Sequence, residues 1–426
     1  MKGGQPAVPR GFWTALLAIN ALWTAAGVHR YLTSAYLGAS TMLDDFQITA
    51  TAAGLLAAIY FPIYGLTQLP SGVLADHRSP RQILAYSSLG LFASSLAFAL
   101  APTLEWAVVS RGLVGFASGF VWLASLKLFL LAGHERYSRL IGTIVVAGNL
   151  GGMLALLALP PLLGVWPWRA LTVAAALPML GLAAVFWLAP VPDVERAQSR
   201  FWRAMGDGLR ACVVVLRDLR FWPIYLTAIM WNGAHFGLVT WLPRYARDAL
   251  GQERATVGTL AALIPFGLVV AGYIAGWLYQ RFGKRGAWLF YGSAALYTTL
   301  LVLLALLGAG TSSPLLLYVV VLALGMLFSG FFASMSLLVN FVPPERLGAA
   351  TGLLNGSSFG PAFATPWLMG FVLDMVDRPT SAPWTYSHAA FGAALGLLAV
   401  LTGTALLAAW WLHRLAQPIA RRATQG

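Results

Sequence analysis

The chain is poor in charge. Only 10% of its 426 residues are Asp, Glu, Lys or Arg, whereas 59% are hydrophobic. Soluble domains carry about 25% charged and roughly 45–50% apolar residues. A soluble protein with so few charges could not cover its surface with polar groups, so a soluble domain is excluded. A disordered chain is excluded as well, because such chains are rich in charge and poor in hydrophobic residues. The 44 glycines show no period of three, which excludes a collagen-like fibre. The composition therefore indicates a membrane protein.

Cysteine and enzyme motifs are also scarce. Cys212 is the single cysteine, so the chain forms no intrachain disulfide and has no cysteine-rich zinc or iron–sulfur site. The Walker-type phosphate loop and His-Glu-x-x-His are missing from the sequence as well. We therefore predict no metal, no cofactor and no enzymatic activity. An intramembrane enzyme built on scattered His and Arg, and a channel, are remote alternatives.

The positive charge does not indicate a nucleic-acid partner. The formal net charge is +13, but the arginines lie in short loops between apolar runs, where such residues set membrane topology. No DNA-binding helix or RNA-binding motif accompanies them. We predict that the partners are the lipid bilayer, a small-molecule substrate and a coupling proton, with no nucleic acid, and we expect a monomer.

Twelve apolar runs are long enough to cross a bilayer as helices, which takes about 20 residues each. They do not alternate in polarity as barrel strands do, so we predict an all-α membrane protein with twelve transmembrane helices. The runs cover approximately residues 12–38, 47–75, 82–101, 104–133, 138–164, 169–190, 221–246, 255–280, 286–309, 313–341, 347–373 and 386–413.

The basic residues support this count. With both termini on one side, 19 of the 27 Lys and Arg lie in the segments on that side, 5 lie in the opposite loops, and 3 fall inside spans. Cytoplasmic loops are enriched in Lys and Arg. The bias predicts an inner-membrane protein with both termini in the cytoplasm. The first apolar run has no cleavage site at the right depth, so it is predicted to be a retained span.

A polar connection and a weak repeat divide the chain into two six-helix bundles. Residues 191–220 mix Arg, Asp, Glu and Trp in the apolar–basic pattern of a helix that lies on the inner membrane surface. The predicted units are residues 1–190, the cytoplasmic linker 191–220, and residues 221–426. Residues 72–84 and 276–288 resemble each other at an offset of 204. Two parallel six-helix repeats are an architecture of secondary transporters.

The loop after the second span carries a family motif. Residues 72–81 read Gly-x-x-x-Asp-His-Arg-Ser-Pro-Arg, which resembles the Gly-x-x-x-Asp-Arg-x-Gly-x-Arg loop of the major facilitator superfamily. His77 and Ser79 depart from that pattern. In the weaker copy after the eighth span, Gln280 takes the place of the acid. Residues 111–119, an Arg followed by closely spaced glycines, resemble a second signature of the family, in the fourth span.

The resemblance implies a conformational latch in that loop. Its candidate residues are Gly72, Asp76, Arg78 and Arg81. A helix that ends in Asp76 can place the carboxylate near a neighbouring helix N-terminus, whose dipole favours an anion by roughly 0.3–1 kcal/mol. In the family this contact holds the outward-open state and breaks during the switch. The alternative is that Asp76 and Arg81 are ordinary loop charges.

In the family, spans one, four, seven and ten line a central cavity, and the resemblance places the ionisable and aromatic candidates there. Ionisable groups inside spans are costly and are functional candidates by default. Three cations, Arg30, Arg111 and Lys127, lie inside spans, and no carboxylate lies deep in a span. The cavity is therefore expected to be electropositive and to bind a small organic anion, because Arg can bind a carboxylate or phosphate with two parallel hydrogen bonds. The predicted substrate-binding residues are His29, Arg30, Tyr31, Lys127, Trp231, Asn232 and His235.

The candidates for coupling to a proton are Arg111, His29 and His235, because unperturbed histidine titrates near pH 6.5. Each has an alternative role. Arg111 and Lys127 can snorkel to the membrane interface, and a lone intramembrane histidine can be a hydrogen-bonded packing residue. The alternative transport function is proton-coupled multidrug efflux. The Gly-Pro pair that antiporters of that kind carry in the fifth span is missing here.

Overall fold

The computed structural model describes residues 10–39, 42–188, 190, 201–218, 221–282, 286–307, 314–331, 334, 344–377 and 385–423. In these ranges the chain is helical and contains no strand. The helices are α1 (Phe12–Ala39), α2 (Met42–Phe46), α3 (Ala50–Ala58), α4 (Tyr60–His77), α5 (Pro80–Ala99), α6 (Leu104–Gly119), α7 (Val121–Phe129), α8 (His134–Leu162), α9 (Trp168–Leu188), α10 (Phe201–Leu216), α11 (Trp222–Asp248), α12 (Arg254–Phe282), α13 (Gly286–Leu306), α14 (Pro314–Leu327), α15 (Pro344–Ser357), α16 (Phe359–Asp377) and α17 (His388–Ala423).

The twelve-helix all-α membrane fold predicted from the sequence is confirmed. Ten helical stretches of the described chain are long and apolar enough to cross a membrane, and Leu315–Phe331 is a shorter one. The remaining crossing is α11, which is less apolar because it carries Asn232, His235 and Arg244. Nearly all of α11 between Pro223 and Ala246 is buried in protein, so these polar side chains are not exposed to lipid.

In the described ranges, the second, fourth and eleventh spans each change from one helix to the next within the membrane. The second span changes from α3 to α4 at Ile59, and Pro62 follows in the first turn of α4. The eleventh span changes from α15 to α16 at Ser358, and Pro361 follows. Proline lacks the amide hydrogen that the preceding turn requires and clashes with it, which explains breaks at these two positions. The fourth span changes from α6 to α7 beside Gly119.

Helices α1–α9 form the first half of the chain and α11–α17 the second. Within the first half α1 packs on α8 and α5 on α9; within the second, α11 packs on α16 and α17. Across the two halves α1 contacts α11, α3 contacts α16, and α8 contacts α12. The predicted linker boundaries stay a prediction, since residues 191–200 and 219–220 lie outside the described ranges.

We call the membrane face at which α1 begins the near side and the opposite face the far side. On the far side the halves meet through small residues. A Cβ added at Gly38 of α1 would collide with Pro243 of α11, and one at Gly54 of α3 would collide with the carbonyl of Pro366 of α16. At Gly258 of α12 it would lie 2.9 Å from a carbonyl of α8. The absence of these side chains therefore lets three helix pairs approach closely.

The faces of α8 and α12 separate toward the near side, whereas the second and eleventh spans stay close at Gly65, where an added Cβ would lie 2.9 Å from the Gly356 carbonyl oxygen. Gly272 lies fourteen residues beyond Gly258, almost four turns along nearly the same face of α12. A Cβ at Gly272 would meet nothing within 4 Å, and the same holds for Gly142 near the start of α8. Helices α8 and α12 are therefore in contact on the far side and apart at these two near-side positions.

Candidate functional site

Arg30 lies deep in the protein against three aromatic rings. Its guanidinium carbon is 5.8 Å from the ring centre of Trp23, 5.9 Å from Tyr60 and 5.8 Å from Tyr64. Trp23 lies two helical turns before Arg30 on α1, so both side chains share a face. Ring faces attract a cation within about 6 Å. The Arg30 Nε atom is buried and has no hydrogen-bond partner.

Arg111 of α6 lies on the same tyrosine. Its guanidinium carbon is 5.8 Å from the ring centre of Tyr60 and 5.6 Å from that of Phe98. Its Nη1 donates to the His29 carbonyl at 2.8 Å, whereas Nε and Nη2 have no partner. Two guanidinium groups, that of the buried Arg111 and that of the partly buried Arg30, therefore border one ring, Tyr60, whose hydroxyl is also without a hydrogen-bond partner.

This pair of charges is not compensated within the described chain. Neither Arg30 nor Arg111 forms an ion pair with a carboxylate there. Burying an ion costs several kcal/mol even after relaxation of its surroundings. The free donor atoms point to an anionic guest, since guanidinium groups bind carboxylates and phosphates strongly.

A close approach of two helices produces this arrangement. A Cβ at Gly115, one turn after Arg111, would collide with the Tyr60 carbonyl, and one at Gly119 would collide with the Thr67 side chain. Glycine at both positions lets α6 lie against α4, and packing of this kind drives helix association in lipid.

Tyr60 and Tyr64 begin a polar stripe on α4 that the sequence-based prediction did not include. Their rings stack with centres 5.7 Å apart. Two further buried groups on this helix, the Gln68 Nε2 and the Ser71 Oγ, lack partners. The spacing 60, 64, 68 and 71 places all four on one helix face. This spacing, inside an otherwise apolar run, is the signal that could have identified them.

The stripe also borders the second half of the chain. The ring of Tyr64 is 4.7 Å from that of Phe359, and Phe61 is 4.4 Å from Phe236 of α11. Phe359 is the first residue of α16, directly after the break in the eleventh span. The Arg30 cluster, which we define as Trp23, Arg30, Tyr60, Tyr64 and Arg111, therefore lies beside the interface of the two halves.

The remaining first-half candidates lie elsewhere. His29 bridges α1 to two other helices, with Nε2 3.1 Å from the Ala175 carbonyl and Nδ1 3.1 Å from Ser95 Oγ. Because a carbonyl only accepts, Nε2 carries a hydrogen; in the neutral ring, the Ser95 hydroxyl donates to Nδ1. Tyr31 packs against Gly152 of α8.

The second-half candidates face into their own bundle. Trp231 lies 5.8 Å from the rings of both Phe290 and Tyr297. His235 stacks on Phe328 at 3.6 Å. Asn232 Nδ2 donates to the Ser358 carbonyl at 2.9 Å, where the eleventh span is broken.

Lys127 reaches the near-side loop and not the Arg30 cluster. Its Nζ lies 2.6 Å from Oδ1 of Asp76, and sixteen residues, about 24 Å of helix, separate it from Arg111. Asp76 was expected near a helix N-terminus, whereas its described partner is this ammonium group.

The other latch candidates also act within the first half. Arg81 donates from Nε to the Phe186 carbonyl at 2.6 Å and from Nη2 to that of Trp187, so it caps the end of α9. Arg78 is exposed at the end of α4. A Cβ at Gly72 would make an ordinary 3.4 Å contact with Leu123. The second copy of the motif includes residues 283–285, which lie outside the described ranges.

On the far side, Asp374 of α16 bonds the first half. Its carboxylate accepts from the Ala50 amide at 3.1 Å, from the Thr51 amide at 2.8 Å and from the Thr51 hydroxyl at 2.5 Å. The Tyr386 hydroxyl donates to it at 2.7 Å and accepts from the Ala50 amide. Asp374 thus caps the N-terminus of α3 from across the interface.

The comparisons with known proteins agree with this fold. The model of the Major Facilitator Superfamily matches residues 22–359. A probable L-galactonate transporter of Escherichia coli is 25% identical over 82% of this chain and 81% of its own length. The phosphoglycerate transporter protein of Salmonella typhimurium is 23% identical over 78% and 77%. Probable anion transporter 6 of Arabidopsis thaliana is 24% identical over 55% of this chain, which spans about half, 48%, of that protein.

Solved structures show the same architecture at low identity. The peptide transporter POT in complex with sulfate superposes with a TM-score of 0.73 at 16% identity, covering 97% of this chain and 95% of its own. A bacterial homolog of the human lysosomal transporter Spinster, inward-facing and unoccupied, gives 0.70 at 17% identity, with 97% and 98% covered.

Proposed function

The chain belongs to the Major Facilitator Superfamily, and on this premise we propose that it carries a small organic anion across the inner membrane by alternating access. The family places it among multi-pass membrane transporters, not enzymes. The observation that carries the choice of an anion is the pair of arginines inside the spans, Arg111 buried and Arg30 partly buried, without a carboxylate partner in the described chain.

We assign the anionic group of the substrate to Arg30. The Nη1 of Arg111 already donates a hydrogen bond to the His29 carbonyl. This bond holds Arg111 in place, where it adds a fixed positive charge beside Tyr60. The hydroxyl of Tyr60 and the Nε1 of Trp23 are further unpaired donors around Arg30. A carboxylate or phosphate bound beside Arg30 loses hydrogen bonds to water, and hydrogen bonds from these donors compensate for that loss.

The predicted residues outside the cluster take different places in the proposal. Lys127 is paired with Asp76 and His29 is bonded at both ring nitrogens, so we do not assign the substrate to either. Trp231 and His235 keep an unpaired nitrogen each and remain candidates for the wall of the site in the second half, and His235 also remains a candidate for coupling to a proton.

The names of the relatives support an anion but not one substrate. Three of the matched proteins are named as transporters of L-galactonate, phosphoglycerate and anions, which are anionic cargo, whereas another is named as a probable sugar efflux transporter. Efflux of cationic drugs fits the Arg30 cluster less well, because two neighbouring guanidinium groups inside the protein repel a cation.

The packing supports a state that is closed on the far side. Glycine contacts and the Asp374 hydrogen bonds join the halves there, while Gly142 and Gly272 face open space toward the near side. With the near side in the cytoplasm, as the charge bias predicts, this state is inward-facing. Alternating access then requires the far-side contacts to break.

A thermal-shift screen of the purified protein tests the proposal. Small carboxylates, phosphate esters, sugars, amino acids and lipophilic cations are compared, because a ligand at about 100 times its Kd adds roughly 2.7 kcal/mol to stability. Arg30→Gln is expected to abolish stabilisation by anions and to raise the Tm of the ligand-free protein, since it removes an uncompensated buried charge. Arg139→Gln, at an exposed arginine of α8, is the control. Stabilisation by lipophilic cations alone would refute the anion site.

A further inference from the structure

Helix α10, between the two halves, has three distinct faces. One face lies against the protein: a Cβ at Gly208 would lie 3.1 Å from Leu69 of α4, and Val215 is only 2% exposed. The helix contacts both α4 of the first half and α15 of the second. It is therefore anchored at the near side to one helix of each half.

A second face is apolar and largely exposed. Trp202 is 80% exposed, Leu209 54% and Val213 49%. Their spacings of seven and four residues place them within about 40° of one another on the helix. This row lies in a helix that joins two membrane spans, so the bilayer interface is directly available to it.

A third face is basic. Arg203 and Arg210, both exposed, and Arg217, just beyond the end of α10, recur every seven residues. The helical turn continues to Arg217, whose amide donates to the Val213 carbonyl. The basic row is rotated by about 80° from the apolar row. Asp207 lies 3.5 Å from Arg210 and offsets part of the charge.

We propose that α10 is a docking surface for anionic phospholipids. The apolar row enters the outer part of the acyl region, and the three arginines bond the phosphate groups beside it. Charge complementarity selects this occupant: a basic row next to an apolar row is the pattern of helices that lie in an anionic membrane interface. A soluble acidic protein fits worse, because it would complement the arginines and leave the apolar row beside them unmatched.

The proposal has a consequence for transport. Since α10 touches α4 and α15, lipid that holds α10 at the interface also holds the near-side ends of the second and eleventh spans. The transport rate is then expected to depend on the anionic lipid content of the membrane. This inference is independent of the substrate, and it stands or falls separately from the anion site at Arg30.

The single cysteine provides the test. Cys212 lies on α10 and is partly buried, so a fluorescent donor attached there reports on lipids around the helix. The full-length protein is reconstituted in vesicles with an acceptor on the headgroup of either phosphatidylglycerol or phosphatidylcholine. Energy transfer to phosphatidylglycerol is expected to exceed transfer to phosphatidylcholine by at least about twofold, and to fall as salt screens the charges.

Two matched variants separate charge from folding. Replacing Arg203, Arg210 and Arg217 together by Gln is expected to remove the preference for phosphatidylglycerol, whereas replacing all three by Lys retains it. Equal transfer to both lipids in the unmodified protein, at low and high salt, would overturn the proposal. So would a preference that survives in the Gln variant. A surface reserved for a protein partner would give the first of these results.

Discussion

The Asp374 carboxylate offers the sharpest test of how the far side is closed. It accepts three hydrogen bonds from the first residues of α3 in the first half and one from Tyr386. Asp374→Ala removes the cap and leaves the Thr51 amide without this acceptor. The Ala50 amide keeps the Tyr386 hydroxyl at 2.9 Å, so only part of the network is lost.

The magnitude follows from these contacts. Losing a helix N-cap costs about 1 kcal/mol, and a hydrogen bond to a charged group contributes about 1.5–3 kcal/mol. Because neighbouring terms are not additive, we expect a total of about 2–3 kcal/mol against the closed far side. At 1.4 kcal/mol per tenfold change, the ratio of closed to open protein falls by about 30-fold to 150-fold.

Two spin labels across the far side measure this ratio. Val165 of the first half is 78% exposed and Glu253 of the second is exposed. The two positions lie close together, because their chain neighbours Gly164 and Arg254 are in contact: a Cβ added at Gly164 would lie 3.2 Å from the Arg254 side chain. Cysteines at 165 and 253, in a Cys212→Ser background, are expected to give a short distance in the parent and an added longer one in Asp374→Ala.

Asp377→Ala is the matched control. This carboxylate lies at the same end of α16, but within the described ranges it accepts only from the Ser387 amide and hydroxyl, in the second half. It should lower stability without changing the distance distribution. An unchanged distribution in Asp374→Ala, or an equal change in Asp377→Ala, would refute the assignment of Asp374 as a contact that closes the far side.

Three further predictions concern packing, the near-side loop and the single thiol. Gly115→Ala forces a methyl group against a carbonyl of α4. It should lower the free energy of unfolding by about 1–3 kcal/mol, measured by thermal unfolding, and weaken anion binding. Gly142→Ala places its methyl group in open space and should have neither effect. Lys127→Gln breaks the partly exposed ion pair with Asp76 and should change the free energy of unfolding by less than about 1 kcal/mol. A binding titration is expected to give an unaltered substrate affinity. A large loss of affinity would show that Lys127 belongs to the binding site. Burial raises the pKa of the Cys212 thiol above its usual 9.0, so less thiolate is present at neutral pH; maleimide labelling should be slower in the folded than in the unfolded protein and keep accelerating beyond pH 9, and equal rates would contradict this.

The fold could be predicted because lipid imposes simple demands on sequence. Length and hydropathy identify ten crossings directly, and the loop motif at residues 72–81 indicates the family. Breaks at Ile59 and Ser358 follow from prolines three residues later. Periodicity did not reveal α11 as a helix buried on every side, because burial depends on neighbours that are distant in the chain.

The candidate site was predicted less completely. Arg30 and Arg111 stood out because charges inside spans are costly. Tyr60 and Tyr64 did not, since aromatic residues in a span also pack against lipid or neighbouring helices, and only the folded helices place them on the arginines. The pairing of Lys127 with Asp76, 51 residues away, equally needed the tertiary structure.

The buried polarity of α11 has a consequence for how the protein is made. A segment with Asn232, His235 and Arg244 partitions poorly into lipid by itself, because such side chains cost free energy during insertion. The first half, synthesised earlier, supplies a surface that receives it: Arg244 donates to the Leu37 carbonyl of α1, and Pro243 packs on Gly38. Biogenesis of the second half therefore depends on a first half that is already in the membrane, and a fragment that begins at α11 should integrate that helix inefficiently.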